Sequence, residues 1–217
     1  MQFTKKLNIP GIHDFTFNTS VGSLEAQLVV PGGGMKNYNI AIIGHPHSLH
    51  GGNINNKVIT TVVRVFRDLH LPSLRFNFRG VGRSQGAFDA GIGESEDCLH
   101  LARLWSNEFT QSQFFLVGFS FGSYVLYRTA AKLENRLLIS IAPPVIHYNY
   151  MEFVRPHCWH IIHGDADAII NYNTVAEFAA KVSPPVVVHK VHEASHFFHG
   201  KLLELRAELH AIITKYL

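Results

Sequence analysis

The chain has 217 residues, 47% of them apolar and 16% charged, a composition that suits one globular domain over residues 1–217. A formal net charge of +3, with its Lys and Arg dispersed rather than run together, excludes a nucleic-acid surface as the basis of function. The two cysteines, Cys98 and Cys158, cannot build a disulfide framework, and neither a signal peptide in Met1 to Pro10 nor an apolar run of roughly 18 residues is visible, so a soluble cytoplasmic protein without a membrane partner is expected.

In chain order, residues 12–30 read as two strands about a turn at Ser20-Val21-Gly22-Ser23, with Phe15 and Phe17 on one face. Pro31-Gly32-Gly33-Gly34 breaks the chain. Ile40-Ala41-Ile42-Ile43 has the continuous apolar character of a strand buried on both faces, and Gly44-His45-Pro46-His47 closes it. Val58, Val62, Val65, Phe66 and Leu69 then recur at one face of a helix. A strand over 73–78 runs into Arg79-Gly80-Val81-Gly82-Arg83-Ser84. A helix is expected from about Glu94, with Glu94, Glu96 and Asp97 in its first turn and Cys98, Leu101, Ala102 and Trp105 on its buried face. Further strands are read at 114–119, 137–141, 158–162 and 186–191. Helices are read after 122, about Val175, Phe178, Ala179 and Val182, and about Leu205, Leu209, Ile212, Ile213 and Tyr216. Strands alternating with helices predict an α/β fold with a mostly parallel sheet, whose ligands bind beyond the carboxyl ends of the strands.

One stretch concentrates the chemistry. Phe114 to Phe119 is an apolar strand that meets Gly118-Phe119-Ser120-Phe121-Gly122, and a helix-compatible segment follows. Strand, tight Gly-x-Ser-x-Gly turn and helix form the context of a nucleophile elbow, with Ser120 lifted at the bend. A serine hydroxyl needs a base, and the base needs a carboxylate to orient it. His196 follows the last strand and fits the base; Asp167 follows the strand ending at Ile162 and fits the acid. Asp165 competes with Asp167, and spacing from His163-Gly164 favours Asp167. His192 and His199 compete weakly with His196. Two backbone N–H groups should hold the oxyanion: that of Phe121, after the nucleophile, and that of His47, since Pro46 has none.

Other motifs point elsewhere and are weaker. His192-Glu193-Ala194-Ser195-His196 matches His-Glu-x-x-His, but it begins at the end of a β-branched run suited to a strand, whereas zinc binding needs both histidines on one helical face. His157, His160 and His163 alternate along a strand and cannot all face one metal. His45, His47 and His50 read as residues that shape a loop. Gly80-Val81-Gly82-Arg83-Ser84-Gln85-Gly86 has its third glycine one position too late for a dinucleotide loop and reads as a turn beside the site. No metal and no cofactor is expected.

With these motifs on the page, the chain resembles the α/β-hydrolase superfamily over nearly its whole length. The resemblance is carried by Asn77-Phe78-Arg79-Gly80-Val81-Gly82-Arg83-Ser84, Gly118-Phe119-Ser120-Phe121-Gly122, His163-Gly164-Asp165-Ala166-Asp167 and His196. His45-Pro46-His47-Ser48-Leu49-His50-Gly51-Gly52 and Ser195-His196-Phe197-Phe198-His199-Gly200 look more narrowly like a group of small bacterial hydrolases without a defined substrate. The resemblance implies an eight-stranded sheet with its second strand antiparallel, and a Ser120, Asp167, His196 triad. Asn171 departs from it, standing where a proline is common after the acid loop. The implied function is a serine hydrolase acting on a small soluble acyl ester or related carbonyl. The superfamily also holds non-catalytic binding proteins, so the fold alone does not name a substrate.

Between Ile141 and Cys158 the chain is too short to build a helical cap with its own core, so no substantial lid is expected. Tyr148, Tyr150, Met151 and Phe153 could instead wall the pocket, with His45 placed beside them; packing against the body of the protein competes with that placement.

Overall fold

The computed structural model describes residues 3–33 and 38–217; Gly34 of the expected chain break, and Met1 and Gln2 of the N-terminal stretch, lie outside the described residues. Among those residues eight strands form one sheet: β1 Gly11–Thr19, β2 Gly22–Val30, β3 Ile40–Gly44, β4 Ser73–Phe76, β5 Phe114–Phe119, β6 Leu137–Ile141, β7 Trp159–Gly164 and β8 Val187–Val191. The helices are α1 Lys57–Asp68, α2 Ile92–Glu108, α3 Phe121–Ala130, α4 Tyr172–Lys181 and α5 Leu202–Thr214. Spatial order is β1-β2-β4-β3-β5-β6-β7-β8. β2 is antiparallel to both neighbours, and every pair from β4–β3 to β7–β8 is parallel. This is the mostly parallel sheet, with its second strand reversed, that the resemblance implies.

Period-two alternation divides the interior into two cores. Along β3, Ile40 and Ile42 enter one and Ala41 and Ile43 the other; β5 sends Phe114 and Leu116 one way and Phe115, Val117 and Phe119 the other. Each face needs helices, because a strand buried on both sides presents no polar face to water. Cys98, Leu101, Ala102 and Trp105 of α2 and Val125 and Leu126 of α3 cover the first face. Val58, Val62, Val65 and Phe66 of α1 and Leu205, Leu209, Ile212 and Ile213 of α5 cover the second. Each Val, Leu, Ile or Phe among them gains roughly 1.5–3 kcal/mol from burial, which outweighs any helix propensity the β-branched valines of α1 lack.

Boundaries differ from expectation at several elements: β4 stops at Phe76 rather than 78, Phe78 N–H going to His45 Nε2, and β7 and β8 each begin one residue later than read. α2 starts at Ile92 because the Glu94 carboxylate accepts the N–H groups of Asp89 and Gly91, closing the helix start on itself. Glu94 is therefore the one acidic residue of its first turn, and Asp97 lies beyond it. β7 runs two residues past Ile162, because His163 and Gly164 pair with Lys190 and Val191 of β8. The connection from β6 to β7 contains a single 3₁₀ turn, Tyr150–Glu152, and no lid. Among the described residues no helix is long and apolar enough to cross a membrane. Because β3 and β5 to β8 are parallel, the loops after β3, β5, β7 and β8 emerge at one edge of the sheet.

Candidate active site

At the end of β5 the backbone turns into α3 within one residue. Ser120 carries the turn at φ 52°, ψ −122°, a conformation that non-glycine residues seldom adopt. Glycines on either side permit it. A Cβ on Gly118 would collide with the Gly122 carbonyl, and a Cβ on Gly122 would collide with the Gly44 carbonyl at the end of β3. The bend is held from both sides: Ser120 N–H donates to Ile141 O at 2.8 Å, and the Ser123 hydroxyl donates to Ser120 O at 2.6 Å. The Tyr150 hydroxyl in turn lies 3.1 Å from Ser123 Oγ.

Ser120, His196 and Asp167 meet at this edge. His196 Nε2 lies 3.1 Å from Ser120 Oγ, and His196 Nδ1 lies 2.7 Å from Asp167 Oδ2. The Asp167 side chain is fully buried. Burial by itself would raise its pKa; the hydrogen bond from His196 and the amides of Ile170 and Ile169 on Oδ1 outweigh burial and hold the carboxyl below its usual range. His163 lies beneath, with Nε2 donating to Ile170 O at 2.9 Å and standing 3.6 Å from Asp167 Oδ2. Burial pushes its pKa down, so it remains neutral there. Asp165 takes no part in this chain. Its carboxylate accepts from His192 Nδ1 at 2.9 Å and from Glu193 N–H at 2.6 Å, and these partners keep it ionised. Asn171, the departure from the family pattern, caps α4 by accepting Asn173 N–H at 2.9 Å.

The open cleft at Ser120 has a volume of about 350 Å³. Around Ser120 it is lined by His47, His50, Phe121, Pro144, His147, Tyr148 and the pair Ile169-Ile170. Of the residues expected to wall the pocket, Tyr148 is at the cleft and His45, Tyr150, Met151 and Phe153 are not. Tyr150 is buried against the elbow, its phenol pushed far up by that burial. Phe153 packs on α3, where the Arg128 guanidinium sits 4.6 Å from its ring centre. Tyr150 and Phe153 thus serve packing on the body of the protein, while Met151 and Val154 stay exposed. His50, His147, Ile169 and Ile170 were missed as lining. Their only signal in sequence is adjacency to His47, Tyr148 and Asp167.

His45 is fully buried, and the reason is architectural. Its Nδ1–H donates to Pro46 O at 2.7 Å, and its Nε2 accepts Phe78 N–H at 2.9 Å, tying the loop after β3 to the loop after β4. Burial lowers its pKa from 6.5 to about 4. The unfolded chain therefore takes up a proton below pH 6.5 that the folded chain refuses until about pH 4. Stability from this residue is complete above pH 6.5 and declines between those values, by on the order of 3 kcal/mol. Half-buried His160 acts in the same direction. Urea unfolding at pH 7.0 and pH 4.5 is expected to show a smaller difference for His45→Gln than for the wild type; equal differences would remove His45 as the cause.

The Gly-rich segment after β4 is a brace. Arg79 is buried and makes a two-pronged pair with Asp97 of α2, at 2.8 and 2.9 Å. Asn77 Oδ1 accepts Ile54 N–H at 2.9 Å, and Glu25 accepts from Asn77 Nδ2 at 2.7 Å and from Arg83 N–H at 2.8 Å. The His-Glu-x-x-His segment is likewise not a helix. It is the turn after β8, with Glu193 at φ 55°, and its two histidines go to different aspartates. His160 is engaged by His189 at 3.0 Å and Tyr216 at 2.8 Å, away from His163. Among the described residues no group of three His, Cys, Asp or Glu is placed to hold a metal ion.

No family model matches the chain. A curated protein of Rickettsia prowazekii, itself uncharacterized, is 35% identical over 180 residues, covering 77% of this chain and 75% of that protein. A crystal structure from Xanthomonas campestris, described as an α/β serine hydrolase without lid, superposes with a TM-score of 0.91 at 36% identity, over 95% of both chains. An α/β serine hydrolase homologue from Coxiella burnetii superposes with a TM-score of 0.87 at 40% identity, over 92% of this chain and 96% of that one. On fold and sequence together, the chain belongs to the α/β-hydrolase superfamily.

Proposed function

We propose that the protein is a cofactor-independent serine hydrolase of small acyl esters or related carbonyl compounds. The reading rests on one observation, the hydrogen-bonded chain Ser120 Oγ, His196, Asp167 at 3.1 and 2.7 Å, opening on a cleft. Ser120 Oγ attacks the substrate carbonyl carbon while His196 Nε2 takes its proton. Asp167 accepts the Nδ1–H of the resulting imidazolium and stabilises its charge. The carbonyl oxygen becomes an oxyanion facing the N–H groups of Phe121 and His47. Phe121 opens α3 and has no intrahelical acceptor for its N–H; His47 N–H meets no backbone acceptor among the described residues. Collapse expels the leaving group, which takes the proton from His196. Water then repeats the sequence on the acyl-Ser120 ester, releasing the acid. A fluorophosphonate probe should label the protein, and p-nitrophenyl acetate should be hydrolysed equally with and without EDTA. Absence of both activities would mean a binding protein instead.

Chain length is a second expectation. A cleft of about 350 Å³ lies at the small end of ligand pockets, roughly 300–1,000 Å³, and its open side leaves distal methylenes in water. Each methylene left exposed forgoes about 0.8 kcal/mol. Across p-nitrophenyl esters from acetyl to palmitoyl, kcat/KM should peak at short chains, with no rate jump at the micelle threshold. A maximum at long chains would refute the open-cleft reading.

A further inference from the structure

The cleft lining is of two chemistries. Pro144, Ile169 and Ile170 are apolar. Three imidazoles join them from two separate loops, His47 and His50 after β3 and His147 between β6 and β7. No carboxylate among the described residues lines the cleft. Two acids stand behind its walls with their oxygens occupied: Asp167 by His196 and two amides, Glu94 by the amides of Asp89 and Gly91.

His47 is set up as a donor. Its Nδ1 accepts Leu49 N–H at 3.3 Å, which leaves the ring hydrogen of the neutral imidazole on Nε2. No protein acceptor among the described residues engages that N–H. The ring is fixed by contacts on several sides: His50 at 4.5 Å, Phe88 at 4.8 Å and Phe121 at 5.0 Å between centroids. His50 and His147 are exposed, and their ring nitrogens make no hydrogen bond within the described residues. Burial lowers the His47 pKa, and the nearby His50 and His147 rings add to that lowering. Three imidazoles at a cleft with no carboxylate in its lining form a place for an anion, since a bound negative charge accepts their N–H groups and favours their protonated forms.

We infer that the substrate bears a carboxylate or comparable anion, joined by a short apolar spacer to the carbonyl that Ser120 attacks, and that His47, His50 and His147 hold that anion. The inference rests on the hydrolase reading and narrows it to half-esters and related anionic acyl compounds. It assigns His50 and His147 a role in specificity, apart from the bond-breaking done at Ser120.

The test compares charged and neutral substrates of matched shape. On the acyl side these are mono-p-nitrophenyl adipate and p-nitrophenyl heptanoate; on the leaving-group side, 4-acetoxybenzoate and its methyl ester. Each kcat/KM is divided by the rate of alkaline hydrolysis, to remove intrinsic reactivity. At low salt and pH 7, at least one pair is expected to favour the anion by tenfold or more. That ratio should shrink in 0.5 M NaCl and approach one in the His50→Gln, His147→Gln double variant, whatever the rate on the neutral ester. Ratios at or below one for both pairs, or a preference that the double variant retains, would overturn the inference. If the neutral esters turn over in that case, the hydrolase reading stands alone. A readout independent of turnover is the titration of adipate followed by the NMR signals of the imidazoles. Shifts at His50 and His147 would support the anion site even in a protein that hydrolyses nothing; their absence at saturating adipate would overturn it.

Discussion

Ser120→Ala is expected to abolish fluorophosphonate labelling and to lower ester turnover by on the order of 10⁴- to 10⁶-fold, while the protein stays folded. The loss is large because the nucleophile has no substitute: Ser123, the nearest hydroxyl in sequence, donates to the Ser120 carbonyl and faces Tyr150. The fold survives because main-chain bonds and the Ser123 side chain hold the elbow, and alanine keeps the same Cβ at φ 52° that serine already tolerates. The Ser120 hydroxyl is half-buried at a cleft, so its removal opens no cavity in the core. Circular dichroism and the urea midpoint of the variant should match those of the parent. Full labelling of the variant would place the nucleophile elsewhere.

Asp167→Asn should lower kcat by on the order of 10⁴-fold, and Asp165→Asn by less than about tenfold. The local bonds explain the asymmetry. The amide replaces the Asp167 carboxylate with nearly the same shape, but the N–H groups of Ile169 and Ile170 claim Oδ1, so the new NH₂ group must face His196 Nδ1. An NH₂ group donates where the carboxylate accepted. The imidazole hydrogen is then driven to Nε2, where the ring can no longer take the proton of Ser120, and the imidazolium loses its counter-charge. Asp165 is bonded to His192 and Glu193 on the exposed side of the same loop, so its change reaches the site only through loop geometry. A steeper loss for Asp165→Asn would reverse the assignment of the acid.

Much of the architecture was legible in the sequence for a simple reason: buried strands and one-sided helices follow from local periodicity. Ile40 to Ile43 and Phe114 to Phe119 are apolar without a break because helices cover both faces, and the stripes of α1 and α5 have the spacing of one helix face. The elbow was legible too, since Gly118 and Gly122 are required by contacts only a few residues away along the chain or on the adjacent strand. What needed the tertiary structure was the partner of each polar group. Asp165 and Asp167 are two residues apart and chemically equivalent; their different partners, His192 and His196, follow from how the loop after β7 meets the loop after β8. Likewise His45 and His47 are indistinguishable in a His-Pro-His run. The pairing of Phe78 N–H with His45 draws one imidazole into the interior and leaves the other at the cleft, because a buried ring must find both a donor and an acceptor and only His45 is offered both. Local pattern determines which residues are buried and which segments turn; long-range hydrogen bonding decides which of two equivalent side chains stands at the site.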